Sequence, residues 1–161
     1  MGTPHRITAI NLLSAYLAMG HQMNSRLPDR VIFFDGYCVA CNKMVDFLLD
    51  KDSVGSFRFA TLQSEIAKIT LPASGYPLQS VQNLDNVVYI RLGKLIIKSD
   101  AMLSIAVDIG GLYKATALLY VIPKWIRDVI YDAFARRRYG WFGKNEFCRV
   151  PTANELTRFL D

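Results

Sequence analysis

Residues 31–42 read Val31-Ile32-Phe33-Phe34-Asp35-Gly36-Tyr37-Cys38-Val39-Ala40-Cys41-Asn42. The first four form an unbroken apolar run, the pattern of a central strand buried on both faces. Asp35-Gly36-Tyr37 breaks it. Beyond the break Cys41, Met44, Val45 and Leu48 recur at i, i+3, i+4 and i+7, one face of a helix over residues 39–51. Polar Asn42, Lys43 and Asp46 take the other face. A buried strand therefore turns sharply into an amphipathic helix, and a C-x-x-C pair lies at the junction.

That position carries chemistry. Cys38 is placed at or just before the helix N-terminus, where unpaired N–H groups and the positive dipole end favour a thiolate. Cys41 lies one turn inside on the core-facing side, shielded yet close enough to resolve a mixed disulfide on Cys38. Asp35 ends the apolar strand where solvent is restricted. Such a carboxyl can take a proton from the resolving thiol and return it. The competing view is an aspartate that only makes local turn bonds. Gly36 suits the sharp turn and a close backbone approach. Zinc also uses C-x-x-C, but four ligands are needed, and only Cys148, His5 and His21 remain. The expectation is therefore no metal and no cofactor.

Outward from the motif, residues 57–60 alternate as a second strand, and Leu62, Ile66 and Ile69 predict a short helix ending before Pro72. Residues 70–86 read as a loop. Residues 87–91 and 95–98 flank Leu92-Gly93-Lys94 as a hairpin. Ser99 or Asp100 is expected to cap a helix with Met102, Ile105, Ala106 and Ile109 inward, stopped by Gly110-Gly111. The order β-α-β-α-β-β-α resembles the thioredoxin core, an α/β fold. Two more helices are expected, over 112–121 and from Pro123 to Arg138, the latter with Ile126, Val129, Ile130, Ala133 and Phe134 inward. In the tail, Trp141, Phe142 and Phe147 are expected to fold onto the core, and a short helix is expected over 153–160.

The chain has 161 residues, 52% hydrophobic and 20% charged, which suits one compact domain. Residues 1–29 are taken as an N-terminal extension, either a helical accessory segment or no part of the fold, and residues 30–161 as the domain. The apolar stretch 7–20 is too short to span a bilayer and only loosely like a signal segment. Three cysteines make an odd count, unlike a secreted disulfide framework, so a reducing, cytoplasmic setting is expected. The net charge is +5, and seven Lys or Arg face three acids between residues 124 and 149. A solvated helix face explains this; a docking patch for an acidic partner or membrane surface is the alternative. No nucleic-acid motif occurs, and nucleic acid is not an expected partner.

Phe34-Asp35-Gly36-Tyr37-Cys38-Val39-Ala40-Cys41-Asn42 resembles the F-D-G-x-C-x-x-C-N signature of the DCC family of thiol-disulfide oxidoreductases. Ser99-Asp100-Ala101, the stretch from Pro123 to Tyr139, Phe142-Gly143, Cys148 to Thr152 and Arg158-Phe159-Leu160 are similar to further motifs of that family, in order. The resemblance spans residues 30–161 and implies a thioredoxin-like fold, a redox activity, and the Asp and two Cys of the family name at Asp35, Cys38 and Cys41. One departure is that no proline precedes Val87, where many thioredoxin-fold proteins carry one opposite the C-x-x-C.

The functional expectation is an enzyme exchanging disulfides with a protein or a low-molecular-weight thiol. Cys38 attacks, Cys41 resolves and Asp35 assists. Cys148 is either a small buried hydrophobe or an extra thiol near the site. Arg137 and Arg138, beside Arg136, are candidate accessory groups for attracting an acidic substrate. Neither residue between the cysteines is charged, so the potential is expected in the range of about −200 to −270 mV rather than near −120 mV. The alternative is an adaptor that keeps the fold, docks partners through the basic late helix and needs no redox turnover.

Overall fold

The computed structural model describes residues 27–160. The chain runs β1 (Arg30–Phe34), α1 (Val39–Lys51), β2 (Arg58–Thr61), α2 (Glu65–Ala73), α3 (Leu78–Gln82), β3 (Val88–Arg91), β4 (Lys94–Ile97), α4 (Lys98–Ile109), a 3-10 segment (Gly111–Val121), α5 (Lys124–Phe142) and a short 3-10 turn (Leu156–Arg158). One four-stranded sheet has the order β2-β1-β3-β4. β1 and β2 are parallel, as a strand–helix–strand crossover requires, and the β1–β3 and β3–β4 pairs are antiparallel. This is the thioredoxin-like α/β core that the element order predicts.

The apolar run of β1 is buried because helices cover both faces. Ile32 and Phe34 join Cys41, Val45, Leu48, Phe59, Tyr89 and Ile105 on the α1–α4 side. Val31 and Phe33 point the other way, to Ala67, Leu71, Tyr76, Val81 and Ile90 around α2 and α3. The alternation follows from the strand period of two. The hairpin turn takes positive φ at both Leu92 and Gly93, 50° and 74°, the pattern of a two-residue turn matched to strand twist.

Several expectations are corrected. α2 does not end before Pro72 but includes it in its last turn. A proline there removes one hydrogen bond at a terminus where few remain. The loop predicted over 70–86 contains the end of α2 and all of α3. α4 begins at Lys98 without a side-chain cap; the Ser99 hydroxyl bonds Asp128 and Asp100 pairs with Arg127 and Lys124. Its buried positions are Ser99, Ala101, Leu103 and Ile105, whereas Met102 is exposed. The helix expected over 112–121 is a 3-10 segment with no buried residue.

α5 is longer than expected and does not bury its apolar stripe. Val129, Ile130 and Phe134 are exposed, and Arg138 is its buried residue. α5 is held by polar ties instead: Lys98 to Asp132, Arg127 to Asp100, and the Tyr131 hydroxyl accepting from the Val87 amide. Trp141 and Phe142 pack on Phe134 rather than the core, and Phe147 is exposed. Phe159 folds back onto Phe34 and Phe59, and the final helix is only a turn. Of the predicted extension, Leu27 packs on the α2–α3 side and the Asp29 carbonyl accepts from the Leu92 amide; residues 1–26, with His5 and His21, lie outside the described residues.

Candidate active site

The end of β1, the tip of α1 and the end of α5 converge on Asp35, Cys38 and Cys41. Asp35 leaves β1 and its carbonyl accepts from the Cys38 amide at 3.2 Å, closing a tight turn. The Asn42 side chain donates to the Gly36 carbonyl at 3.0 Å and holds that turn against the helix. Gly36 is required by space: a Cβ there would lie 2.2 Å from Cys148 Sγ.

Cys38 is the N-cap of α1. Its sulfur accepts from the Cys41 amide at 3.2 Å, answering one of the orphan donors of the helix start. The Cys41 thiol is the largest influence lowering the Cys38 pKa; desolvation opposes it, and the Cys41 amide and the Arg138 cation add to the lowering, down to about 7. Cys41 is pushed upward, first because its thiol donates to Cys38 and then by burial. The two thiols are pushed in opposite directions, so Cys38 ionises well before Cys41. The Asp35 charge acts on both sulfurs, raising each.

Asp35 is 2% exposed and ringed by donors. Gln63 Nε2 donates to Oδ1 at 2.8 Å and the Tyr37 amide at 3.0 Å. The Tyr139 hydroxyl donates to Oδ2, and the Arg138 guanidinium lies 3.5 Å from it. Burial first, then the bond to Asp35, pushes Tyr139 up to about 12, so it remains a donor. Arg138 also donates to the Leu84 carbonyl at 2.6 Å. Leu84 has φ 57°, a costly conformation for leucine held where that carbonyl is needed.

Of the candidate residues, Asp35, Gly36, Cys38, Cys41, Cys148 and Arg138 are brought together. Arg137 is exposed and takes no part in the Asp35 shell among the described residues. Cys148 lies against Gly36, 3.9 Å from Gln63 Oε1. Gln63 and Tyr139 complete the shell; Tyr139 falls in a stretch similar to a family motif that does not tie it to Asp35, and Gln63 falls in none. Gln63 has a weak positional signal: it is a polar residue just past the end of β2, on the same edge where β1 ends, and α/β sheets place their sites at such edges.

The tail closes the outer face. Cys38 and Lys144 form an isolated antiparallel bridge, the Asn145 amide donates to the Tyr37 carbonyl at 2.8 Å, and the Arg149 amide to the Gly36 carbonyl at 3.0 Å. The Lys144 ammonium sits over the Tyr37 and Tyr139 rings. Cys38 is in consequence 0% exposed. Among the described residues no group of three or more His, Cys, Asp or Glu is placed to hold a metal, and no helix is long and apolar enough to cross a membrane.

A thioredoxin-like core with two cysteines at a helix tip, one acidic and one not, defines a thiol-disulfide class of site. The chain belongs to the DCC1-like thiol-disulfide oxidoreductase family, which it matches over residues 32–144. It is 35% identical over 137 residues to the uncharacterized protein YuxK of Bacillus subtilis (strain 168), covering 85% of this chain and 98% of that one. It is also 35% identical over 121 residues to a DCC family protein of Arabidopsis thaliana described as chloroplastic, covering 74% of this chain and 69% of the relative. No solved structure matches.

Proposed function

We propose that this chain is a thiol-disulfide oxidoreductase working through Cys38 and Cys41, with Asp35 assisting proton transfer and exchange with a protein or a small thiol. The observation that supports this most is the Cys38 sulfur capping α1 with its pKa lowered to about 7, the value of a reactive helix-tip thiol. Cys38 attacks one sulfur of a disulfide and forms a mixed disulfide. Cys41, after losing its proton, attacks Cys38 and releases the second product as a thiol. Asp35 interacts electrostatically with both sulfurs and relays that proton, while Gln63, Tyr139 and Arg138 hold its carboxyl in place. A partner that reaches Cys38 displaces the segment around Lys144. Cys148 supplies packing against Gly36. The odd count of three cysteines supports a reducing, cytoplasmic setting as part of this reading.

Trapping tests the reading. The Cys41→Ser chain is expected to accumulate a mixed disulfide through Cys38, and Cys38→Ser to accumulate none. Asp35→Asn is expected to slow the resolving step by about 100-fold or more while leaving the first attack within a few-fold. Equal turnover by wild type and Cys38→Ser overturns the proposal.

A further inference from the structure

The two faces of the cysteine pair differ. Residues 143–149 close over Cys38 on the outer face, as described above. On the inner face Cys41 is part of the wall of a half-open cavity of about 490 Å³ between α1, α4 and α5, a wall to which Cys38 does not contribute. That volume falls in the range of small-molecule sites. Met44, Met102, Leu103, Leu119, Ile122 and Phe134 make up much of the wall. Several of its polar groups are already answered within the protein: Ser99 by Asp128, Arg127 by Asp100, and the Tyr131 hydroxyl by the Val87 amide. Arg138 reaches the cavity beside Asp35 and Cys41; it is 7% exposed, and its Nε has no hydrogen-bond partner.

The geometry points to this cavity as the binding site of a small, uncharged dithiol with an apolar body that reduces the cysteine couple through Cys41. The inference rests on the redox role proposed above and adds the class of the electron donor. In the oxidised protein a thiolate of the dithiol attacks the Cys41 sulfur. The Cys38–Cys41 bond breaks and its electron pair leaves on Cys38. The donor's second thiol loses its proton to solvent and attacks the donor sulfur held on Cys41. The donor disulfide closes, and Cys41 departs and takes up a proton. The protein gains two electrons and the donor loses two. Cys38 is the better leaving group of the pair because its thiolate is the more stable. A charged thiol such as glutathione is disfavoured, since most of the wall is apolar and the wall's charged groups are already paired within the protein, Arg127 with Asp100 and Arg138 with Asp35.

The test uses the full chain, oxidised to the Cys38–Cys41 disulfide. Its reduction by dihydrolipoamide is timed against dithiothreitol, each rate divided by that reductant's rate on oxidised glutathione. Dihydrolipoamide is expected to be faster by about tenfold or more, since burial of two methylene groups alone amounts to such a factor. Met102→Trp and Ile130→Trp, which add bulk to the α4 and α5 walls of the cavity, are each expected to remove that advantage. Both are expected to leave the glutathione ratio at half oxidation unchanged, which shows a folded chain with an intact couple. Equal normalised rates for the two reductants, or tryptophan variants that keep the advantage, overturn the inference while the redox role stands. A rate that falls with protein concentration as a dimer forms also overturns it, because a second copy then fills the cavity. A chain that forms no Cys38–Cys41 disulfide, and so has no half-oxidation point, overturns the redox role and the inference together.

Discussion

At Cys38 the acidity is set by neighbours in a definite order. The Cys41 thiol lowers the pKa most, desolvation opposes, and the Arg138 cation contributes less. The rate of alkylation by iodoacetamide is therefore expected to rise with pH through a midpoint near 7. Cys41→Ala should move that midpoint upward by more than Arg138→Gln does; the reverse order contradicts this account of the site. Gly36 gives a second prediction. A methyl group there meets Cys148 Sγ at 2.2 Å, and overpacking of this kind costs about 1–3 kcal/mol. Gly36→Ala is expected to lower the urea midpoint, and Gly36→Ala with Cys148→Ala to recover most of the loss, a coupling that a double-mutant cycle measures. Asp35, Gly36, Cys38 and Cys41 are legible in sequence because they are contiguous. That Gln63 and Tyr139 hold Asp35 is not, because they reach it from 28 and 104 positions away.

Among the elements, the C-terminus of α1 shows how the tail is fastened. Asp52 accepts from the Ser56 and Phe57 amides at 3.0 and 2.8 Å and pairs with Arg158. Burial pushes its carboxyl up, but those bonds and the Arg158 cation outweigh it and leave the pKa lowered. A lowered folded-state pKa stabilises the protein above the unfolded value, 3.8, and that contribution is lost as the pH falls below it. Asp52→Asn is expected to flatten the acid limb of a stability–pH curve, and Asp52→Ala to cost about 2–4 kcal/mol at neutral pH. The strand and helix of the motif are readable because each carries a clear period. The inward face of α5 is misread because a stripe of Ile126, Val129, Ile130 and Phe134 signals burial in general and does not say by what. Here polar pairs dock the helix, and the stripe borders a cavity and solvent.

Across the whole molecule, the tail from residue 143 onward covers the Cys38 end of the site. With Cys38 sealed beneath Lys144, a bulky maleimide is expected to react far more slowly than iodoacetamide, relative to their rates on a free thiol. Arg149 holds the tail through Asp46 and through Glu155. Arg149→Ala is expected to raise the bulky reagent's rate by about fivefold or more, as two ion pairs worth about 0.2–1 kcal/mol each are lost. An unchanged rate would show that the tail does not gate Cys38. The couple as a whole is expected to sit in the range of about −200 to −270 mV in a glutathione titration, because a thiol with a pKa near 7 is stabilised less than that of a strong oxidant.

The sequence by itself determined the sheet, the crossover from β1 through α1 to β2, the hairpin, and the placing of two cysteines at a helix tip. These follow from local periods and from residues a few positions apart, whose geometry is set as soon as the element forms. Only the tertiary structure decided that Arg138 rather than Arg137 turns inward, that Tyr139 and Gln63 hold Asp35, that Cys148 packs on Gly36, and that one sulfur is covered while the other borders an apolar cavity. Those relations join segments up to 104 residues apart. They depend on how finished elements pack, which no local pattern encodes.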